Sequence, residues 1–240
     1  MKFKKEDRVK TSQMWLNTLR NPVKIQDTLN AVKNTRYVPK FEINPVGAES
    51  TNAVVTVYDG EVVKAICDYK GNGLRKCVVC FGDYFSPGGN FLKGGVDQEE
   101  IICRYSNLYP CLNFYRDVYR RRKYNQVCGD DFFYVRDAKF YYRGNTVTTD
   151  ILIISPPDVS DDLAMTTLKE RMRIAYSFPA TQGIDQVFLG AFGCGTKGND
   201  PEVVANLWKD LYDLNPNFYK HIVHPISDGD MCTVFENICL

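Results

Sequence analysis

Gln98, Glu99 and Glu100 are three consecutive side chains suited to acid–base and hydrogen-bonding chemistry. They precede IICRYSNLY, whose apolar residues recur at roughly helical spacing. Neighbours on a helix point ~100° apart, so Glu99 and Glu100 cannot meet one atom in the same way. One carboxyl can contact ligand hydroxyls while the other reaches a reacting centre. A helix start favours the carboxylate anion, yet a general acid must hold a proton before it can donate one. Apolar burial by Phe91 or Tyr105, or a diphosphate bound nearby, would raise the pKa and reconcile the two. Glutamate in a first helical turn also complements the helix dipole without any function, and for the pair taken alone that plain reading prevails.

The surrounding elements narrow the choice. KCVVCF, ahead of the pair, is a short β-branched apolar run that reads as a buried strand. Ser86-Pro87-Gly88-Gly89 and then Gly94-Gly95 follow, places where the backbone can turn sharply or approach a ligand closely. Strand, glycine loop and acidic helix start together suit a sugar-phosphate ligand.

A second glycine loop spans Gly190-Ala191-Phe192-Gly193-Cys194-Gly195-Thr196-Lys197-Gly198-Asn199, between the strand VFLG and a helix opening at Pro201. It lies at the carboxyl end of its strand, where α/β sheets bind ligands. Gly193, Gly195 and Gly198 satisfy G-x-G-x-x-G literally. The position near the C-terminus and the lack of an acidic residue ~20 positions on argue against a dinucleotide fold. Gly195-Thr196-Lys197 reverses the threonine and lysine of a P-loop. Backbone N–H groups near a helix start still favour a phosphate or diphosphate; a tight turn needing glycine for sterics is the plain alternative.

Bulk composition excludes several classes. The chain has 240 residues, with Lys+Arg 30 against Asp+Glu 29 and a net charge of +1, so electrostatics name neither nucleic acid nor an anionic membrane as main partner. The start, MKFKKEDRVK, has no apolar segment behind it, and no apolar run approaches the ~20 residues of a membrane helix. The expectation is an intracellular, soluble, cytoplasmic protein. Nine cysteines without regular spacing read as reduced packing residues. Cys77 and Cys80 form C-x-x-C, but three residues apart on a strand they face opposite ways and cannot clamp one metal.

Along the chain, QMWLNTLRNP and VKIQDTLNAVKNTR read as two short helices broken at Asn21-Pro22, with Pro39 and Pro45 at the exit. Residues 1–45 are expected to form a helical accessory segment and 46–240 the main domain. There AVVTVYD is a strand, EVVKAICDYKG is amphipathic and of uncertain type, and a helix runs from Gln98 towards Arg116 with a break at Pro110. The basic run FYRDVYRRRK reads as a solvated helix face. DDFFYVRDAKFYYRGN reads as a hairpin or bent strand pair turning at Gly144-Asn145, and TDILIIS as a central strand. DLAMTTLKERMRIAYSF is a helix that Asp161 or Asp162 is placed to cap. DQVFLGAF is a strand, PEVVANLWKDLYDL a helix, and HIVHPIS a closing strand. Such alternation predicts an α/β layered domain with a largely parallel or mixed sheet.

Pro87-Gly88-Gly89-Asn90, seven residues and Gln98-Glu99-Glu100 resemble the signature of microbial-type poly(ADP-ribose) glycohydrolases, three glycines followed by six to eight residues and Gln-Glu-Glu. FLGAFGCGTKGNDPEVVANLW resembles the family's second glycine loop and following helix. FYVRDAKFYYRGN and ILIISPPDV resemble its middle strands, and the N-terminal helices its accessory segment. The resemblance implies a macrodomain-like three-layer α/β/α fold with ADP-ribose across the strand ends, acting as an ADP-ribosyl glycohydrolase. By it Glu100 is the catalytic acid, Glu99 holds ribose hydroxyls and Gln98 helps position them. Gly88, Gly89 and Asn90 shape the loop over the distal ribose, and Gly193, Cys194, Gly195 and Thr196 wrap the diphosphate. Asp83 and Ser86 lie at the pocket mouth; Phe192, Lys197 and Asn199 join the ligand-binding set.

The implied partner is ADP-ribose carried on protein or nucleic acid, with no cofactor, metal, membrane or obligate protein partner. Two positions depart from the pattern: Asn90 replaces the third glycine, and Lys197 stands where an aromatic usually packs on the ligand. Those departures leave a non-catalytic ADP-ribose reader as the alternative, and the literal G-x-G-x-x-G leaves an oxidoreductase as a third. The enzymatic reading requires the loops at Gly88 and Gly193 to meet around one diphosphate-ribose.

Overall fold

The computed structural model describes residues 4–42, 53–125 and 128–240. The chain begins with α1 (Lys5–Leu19), α2 (Ile25–Lys33), β1 (Thr35–Val38), β2 (Val54–Asp59), α3 (Val62–Asp68) and β3 (Lys76–Phe81). It continues through α4 (Gln98–Tyr105), α5 (Leu108–Phe114), α6 (Arg116–Asn125), β4 (Phe132–Tyr142) and β5 (Asn145–Ile154). Then come α7 (Ala164–Thr181), β6 (Gln186–Phe188), α8 (Pro201–Leu214), β7 (His221–Ile226) and α9 (Gly229–Cys239). Two compact units divide it, Met1–Val38 with Cys80–Ser155 and Pro39–Val79 with Pro156–Leu240, so the chain passes from one to the other within β3.

In the first unit β1, β4 and β5 pair antiparallel. The expected hairpin is present, turning through Arg143 and Gly144, both at positive φ. The strand expected at TDILIIS is the second half of β5, and its buried run Thr149–Ile154 fits a strand covered on both faces. A register shift between Val135 and Ala138 places Asp137 at φ 59°, and its N–H donates to the buried carboxylate of Asp150 at 2.9 Å. The helix expected towards Arg116 is two helices, α4 and α5, with α6 starting at Arg116. It breaks at Ser106-Asn107, where Ser106 bridges to Phe140, and Pro110 sits in the first turn of α5.

The basic run is α6, with Arg116, Arg120, Arg121 and Lys123 exposed as expected. Arg122 departs from that account. It is buried and paired with Asp131 through Nε at 2.9 Å and Nη2, with its guanidinium 4.2 Å from the Tyr84 ring centroid. Helical periodicity turns one residue of such a run inward, and only a buried acid makes that tolerable.

In the second unit β3, β6, β7 and β2 pair parallel, in that order. Cys77, Val78 and Val79 are buried in β3, as a strand covered on both faces requires. The ambiguous EVVKAICDYKG is α3, with Val62, Val63, Ala65 and Ile66 inward. Neither Asp161 nor Asp162 caps α7. Leu163 takes that position without a side-chain bond, and Asp161 instead accepts the Ala164 N–H with its carbonyl oxygen in the preceding turn. The chain does not close on β7, because α9 follows, capped by Asp228 on the Met231 N–H at 3.0 Å. Strand β1 was hidden for a related reason: four residues, TRYV, directly after a helix leave no alternation to read. The expected boundary at residues 45–46, with Pro45, lies outside the described residues.

Candidate active site

The Lys76–Tyr109 stretch folds around its two glutamates. Gln98 ties α4 to the end of β3 by accepting the Phe81 N–H at 2.8 Å. Glu99, 2% exposed, accepts the Asp83 N–H at 2.7 Å on one oxygen and the Gly88 N–H at 3.1 Å on the other. Its carboxyl therefore organises the loop from inside. Asp83 adds an Asx turn, accepting the N–H groups of Phe85 and Ser86 at 2.7 Å each. Ser86 in turn accepts the Gly89 N–H with its carbonyl.

Glu100, 3% exposed, is engaged differently. One oxygen, Oε1, accepts the Asn90 N–H at 2.7 Å, while the buried Oε2 has no hydrogen-bond partner among the described residues. Burial raises the pKa of both glutamates, that of Glu99 strongly. The Asp83 N–H opposes the shift at Glu99 and the Asn90 N–H opposes it at Glu100. Desolvation thus overrides the preference of a helix start for the anion.

Gly88 and Gly89 occupy φ +71° and +54°. A Cβ at Gly89 would lie 2.6 Å from Glu100 Oε1 and 3.2 Å from Glu99 Oε2. Gly89→Ala should therefore displace both carboxyls, lowering kcat by about a hundredfold and adding roughly 1–2 kcal/mol of backbone strain. Steady-state kinetics beside urea unfolding check both parts. Asn90 has φ −95°, which any residue adopts, so the backbone makes no demand for a third glycine.

The second loop belongs to the other unit. Gly193, at φ +76°, has no room for a Cβ, which would lie 2.5 Å from the Asn199 amide and 2.8 Å from Pro156. Asn199 is buried and donates to the carbonyls of Pro157 at 3.0 Å and Gly193 at 3.2 Å, holding the loop closed. Gly195 and Thr196 are exposed at its crest. Lys197 lies 3.8 Å from Asp158. The Cys194 thiol is pushed up to about 12 by burial, which makes it a poor nucleophile. Phe192 is fully buried, edge-on to Trp208, so its ring is core. Asp200 caps α8 on the Glu202 N–H at 2.8 Å, with Pro201 in the first turn.

Trp208 steadies the strand end by donating to the Gly190 carbonyl at 3.0 Å, and it packs on the buried His224. Burial drives the His224 pKa down to about 3, against an opposing pull from the Gly190 carbonyl. A depressed folded pKa contributes stability above the unfolded value near 6.5, lost as pH falls towards 3. His224→Phe should flatten the pH dependence of unfolding across that window, measured as urea midpoints at several pH values.

Residues 7–155, more than half of the chain, match the family described as microbial-type PARG, catalytic domain. The chain belongs to this family. The PARG family is a glycoside hydrolase family acting on poly(ADP-ribose), so the chain is a glycoside hydrolase by membership. Solved PARG structures share its fold. The poly(ADP-ribose) glycohydrolase of Thermomonospora curvata is 19% identical, with 97% of this chain and 99% of that chain covered and a TM-score of 0.84. The same protein bound to the inhibitor ADP-HPD gives 20% identity, coverage of 97% and 99%, and a TM-score of 0.82. The Deinococcus radiodurans PARG in complex with ADP-ribose gives 20% identity, coverage of 91% and 97%, and a TM-score of 0.77. No curated protein matches the sequence significantly.

The PARG match spans α1 and α2 as well as the Gln98-Glu99-Glu100 stretch, so the N-terminal helices fall within it. Asp83, Ser86, Gly88, Gly89, Asn90, Gln98, Glu99 and Glu100 all lie within one unit, drawn together by the bonds above. Phe192 to Asn199 lie in the other. Sequence reasoning missed the residues behind the first loop, Arg8, Ser12, Arg104, Arg122 and Asp131. A lone buried arginine in a basic run carries no periodic signal, and only contacts reveal it. Among the described residues no helix is long and apolar enough to cross a membrane.

Proposed function

We propose that this PARG-family protein cleaves the glycosidic bond of poly(ADP-ribose), or of ADP-ribose attached to protein or nucleic acid, with Glu100 as the catalytic acid. The supporting observation is the asymmetry of the two glutamates. Both Glu99 oxygens are spent on loop N–H groups, whereas Glu100 keeps a buried, unpartnered Oε2 on a carboxyl whose pKa burial has raised. A protonated Oε2 gives its proton to the leaving oxygen as that oxygen separates from the anomeric carbon. The oxocarbenium-like sugar then takes a water, whose spare proton returns to the Glu100 carboxylate. Glu99 fixes the loop around the ribose. Gly88, Gly89, Asn90, Asp83, Ser86 and Gln98 belong to the ribose end, and Gly193, Cys194, Gly195, Thr196, Lys197 and Asn199 to the diphosphate end. Phe192 contributes there through its backbone. Residues 46–240 carry catalysis, with residues 1–45 as accessory segment.

The test is release of ADP-ribose from polymer and from mono-ADP-ribosylated protein. Release by the wild type and its loss in Glu100→Gln are expected. Equal release by both proteins would remove Glu100 from the chemistry, and ADP-ribose binding without release would mark a reader.

A further inference from the structure

The Asn90 N–H that engages Glu100 belongs to a tight turn, residues 88–95, pinned from outside itself. Within the turn, the Phe91 N–H donates to the Gly88 carbonyl at 2.9 Å and the Gly95 N–H to the Asn90 carbonyl at 2.9 Å. From α1, Arg8 Nε donates to the Gly94 carbonyl at 2.7 Å and the buried Ser12 hydroxyl to the Phe91 carbonyl at 2.9 Å. The backbone of α1 comes so close that a Cβ on Gly94 would lie 2.8 Å from the Lys5 carbonyl oxygen. From α4, one turn beyond Glu100, Arg104 Nη2 donates to the Gly95 carbonyl. Phe91 is fully buried, with its ring 5.1 Å from that of Tyr109. Trp15, further along α1, donates to the Ser106 carbonyl at 2.9 Å and so anchors the helix at the end of α4.

The contacts from α1 and α4 land on Phe91, Gly94 and Gly95, all within five residues after Asn90. A Cβ on Gly95 would lie 2.9 Å from the Glu100 carboxyl carbon and 2.8 Å from Asn90 Cβ, so turn and carboxyl leave no slack between them. Any loosening of α1 would be felt at the Asn90 N–H.

We infer that α1 is a brace for the catalytic turn, with Arg8 and Ser12 as positioning residues that hold the Asn90 N–H on Glu100 Oε1 and so reserve Oε2 for the transferred proton. The inference rests on Glu100 being the acid. It assigns a task within the reaction to a helix expected from its sequence only as part of an accessory segment. The direction of its effect follows from the bond that is held. An N–H donated to a carboxylate favours the anion, so losing it raises the pKa of Glu100 and moves the alkaline limb of kcat, where the acid is spent, to higher pH.

The experiment compares wild type, Arg8→Ala, Arg8→Lys and Ser12→Ala as full chains, following ADP-ribose release from pH 5 to 10. In Arg8→Ala kcat should fall by roughly ten- to a hundredfold, KM should stay within about twofold for a step that loses transition-state positioning only, and the alkaline limb should shift upward. Ser12→Ala should move the limb the same way, and Arg8→Lys, which restores a cationic donor, should recover most of kcat. Should Arg8→Ala fold poorly, Ser12→Ala carries the comparison. A lower melting temperature with kcat and the alkaline limb unchanged would overturn the brace, as would a kcat loss without movement of the limb. Full activity of Glu100→Gln in the same assay would instead refute the acid assignment, so the two failures remain distinct.

Discussion

Glu100→Gln should lower kcat for ADP-ribose release by about 10²–10⁴-fold, the usual contribution of a general acid, with KM little changed. Glutamine preserves the shape of the side chain and keeps an oxygen for the Asn90 N–H, so the loop should remain in place. What it lacks is the transferable proton. The same substitution should stabilise the protein at neutral pH. Burial raises the folded pKa of Glu100, so its carboxyl favours folding below the unfolded value of about 4.3 and disfavours it increasingly as pH rises through the folded pKa. The advantage of Glu100→Gln in urea unfolding should therefore vanish below the unfolded value, grow as pH rises towards the folded pKa, and level off above it. A variant that is both inactive and less stable at pH 8 would mean that the glutamate serves folding rather than chemistry.

Asp131→Ala should be the most damaging single change to stability, costing about 3–5 kcal/mol by the rule for breaking a buried pair. The substitution leaves the Arg122 guanidinium buried without its counter-charge and removes the acceptor of the Tyr84 hydroxyl at 2.6 Å. Burial by itself would raise the Asp131 pKa, yet the Tyr84 hydroxyl and Arg122 outweigh it and hold the carboxyl low. Its stabilising contribution is thus present above the unfolded pKa near 3.9 and disappears as pH falls below it. Arg122→Met with Asp131→Leu should restore much of the loss, because apolar residues of similar volume avoid the desolvation. Activity should drop with Asp131→Ala as well, since Arg122 also donates to the Tyr84 carbonyl, next to the Asp83 N–H that Glu99 accepts. Unfolding in urea and initial rates at 25 °C read the two effects separately.

Both predictions depend on desolvation, which composition does not report. A net charge of +1 sums the whole chain and does not say which ionisable groups lose their water, while the consequential ones in the first unit, Glu99, Glu100, Arg122, Asp131 and Asp150, are all buried. The departures from the family pattern also take physical form. Asn90 stands at φ −95° with an exposed side chain, so glycine is not needed there for backbone reasons. Lys197 is near Asp158, an arrangement that leaves the crest of the second loop to Gly195 and Thr196.

Elements with strong local signals were legible in the chain alone. KCVVCF, a short apolar run centred on two valines, became β3, and PEVVANLWKDLYDL, with proline at its first turn, became α8. The glycine spacing and Gln98-Glu99-Glu100 marked the candidate site, because positive φ and close approach leave glycine few substitutes. Tertiary contact alone decided the rest. It determined which glutamate keeps an oxygen free and which binds the loop, and that Arg122 leaves the solvated face of its helix. It also set α1 against the turn at Gly94. Such outcomes depend on residues from 9 positions apart, Arg122 and Asp131, to 86 apart, Arg8 and Gly94, and on water removed when they meet. Local spacing carries no record of either.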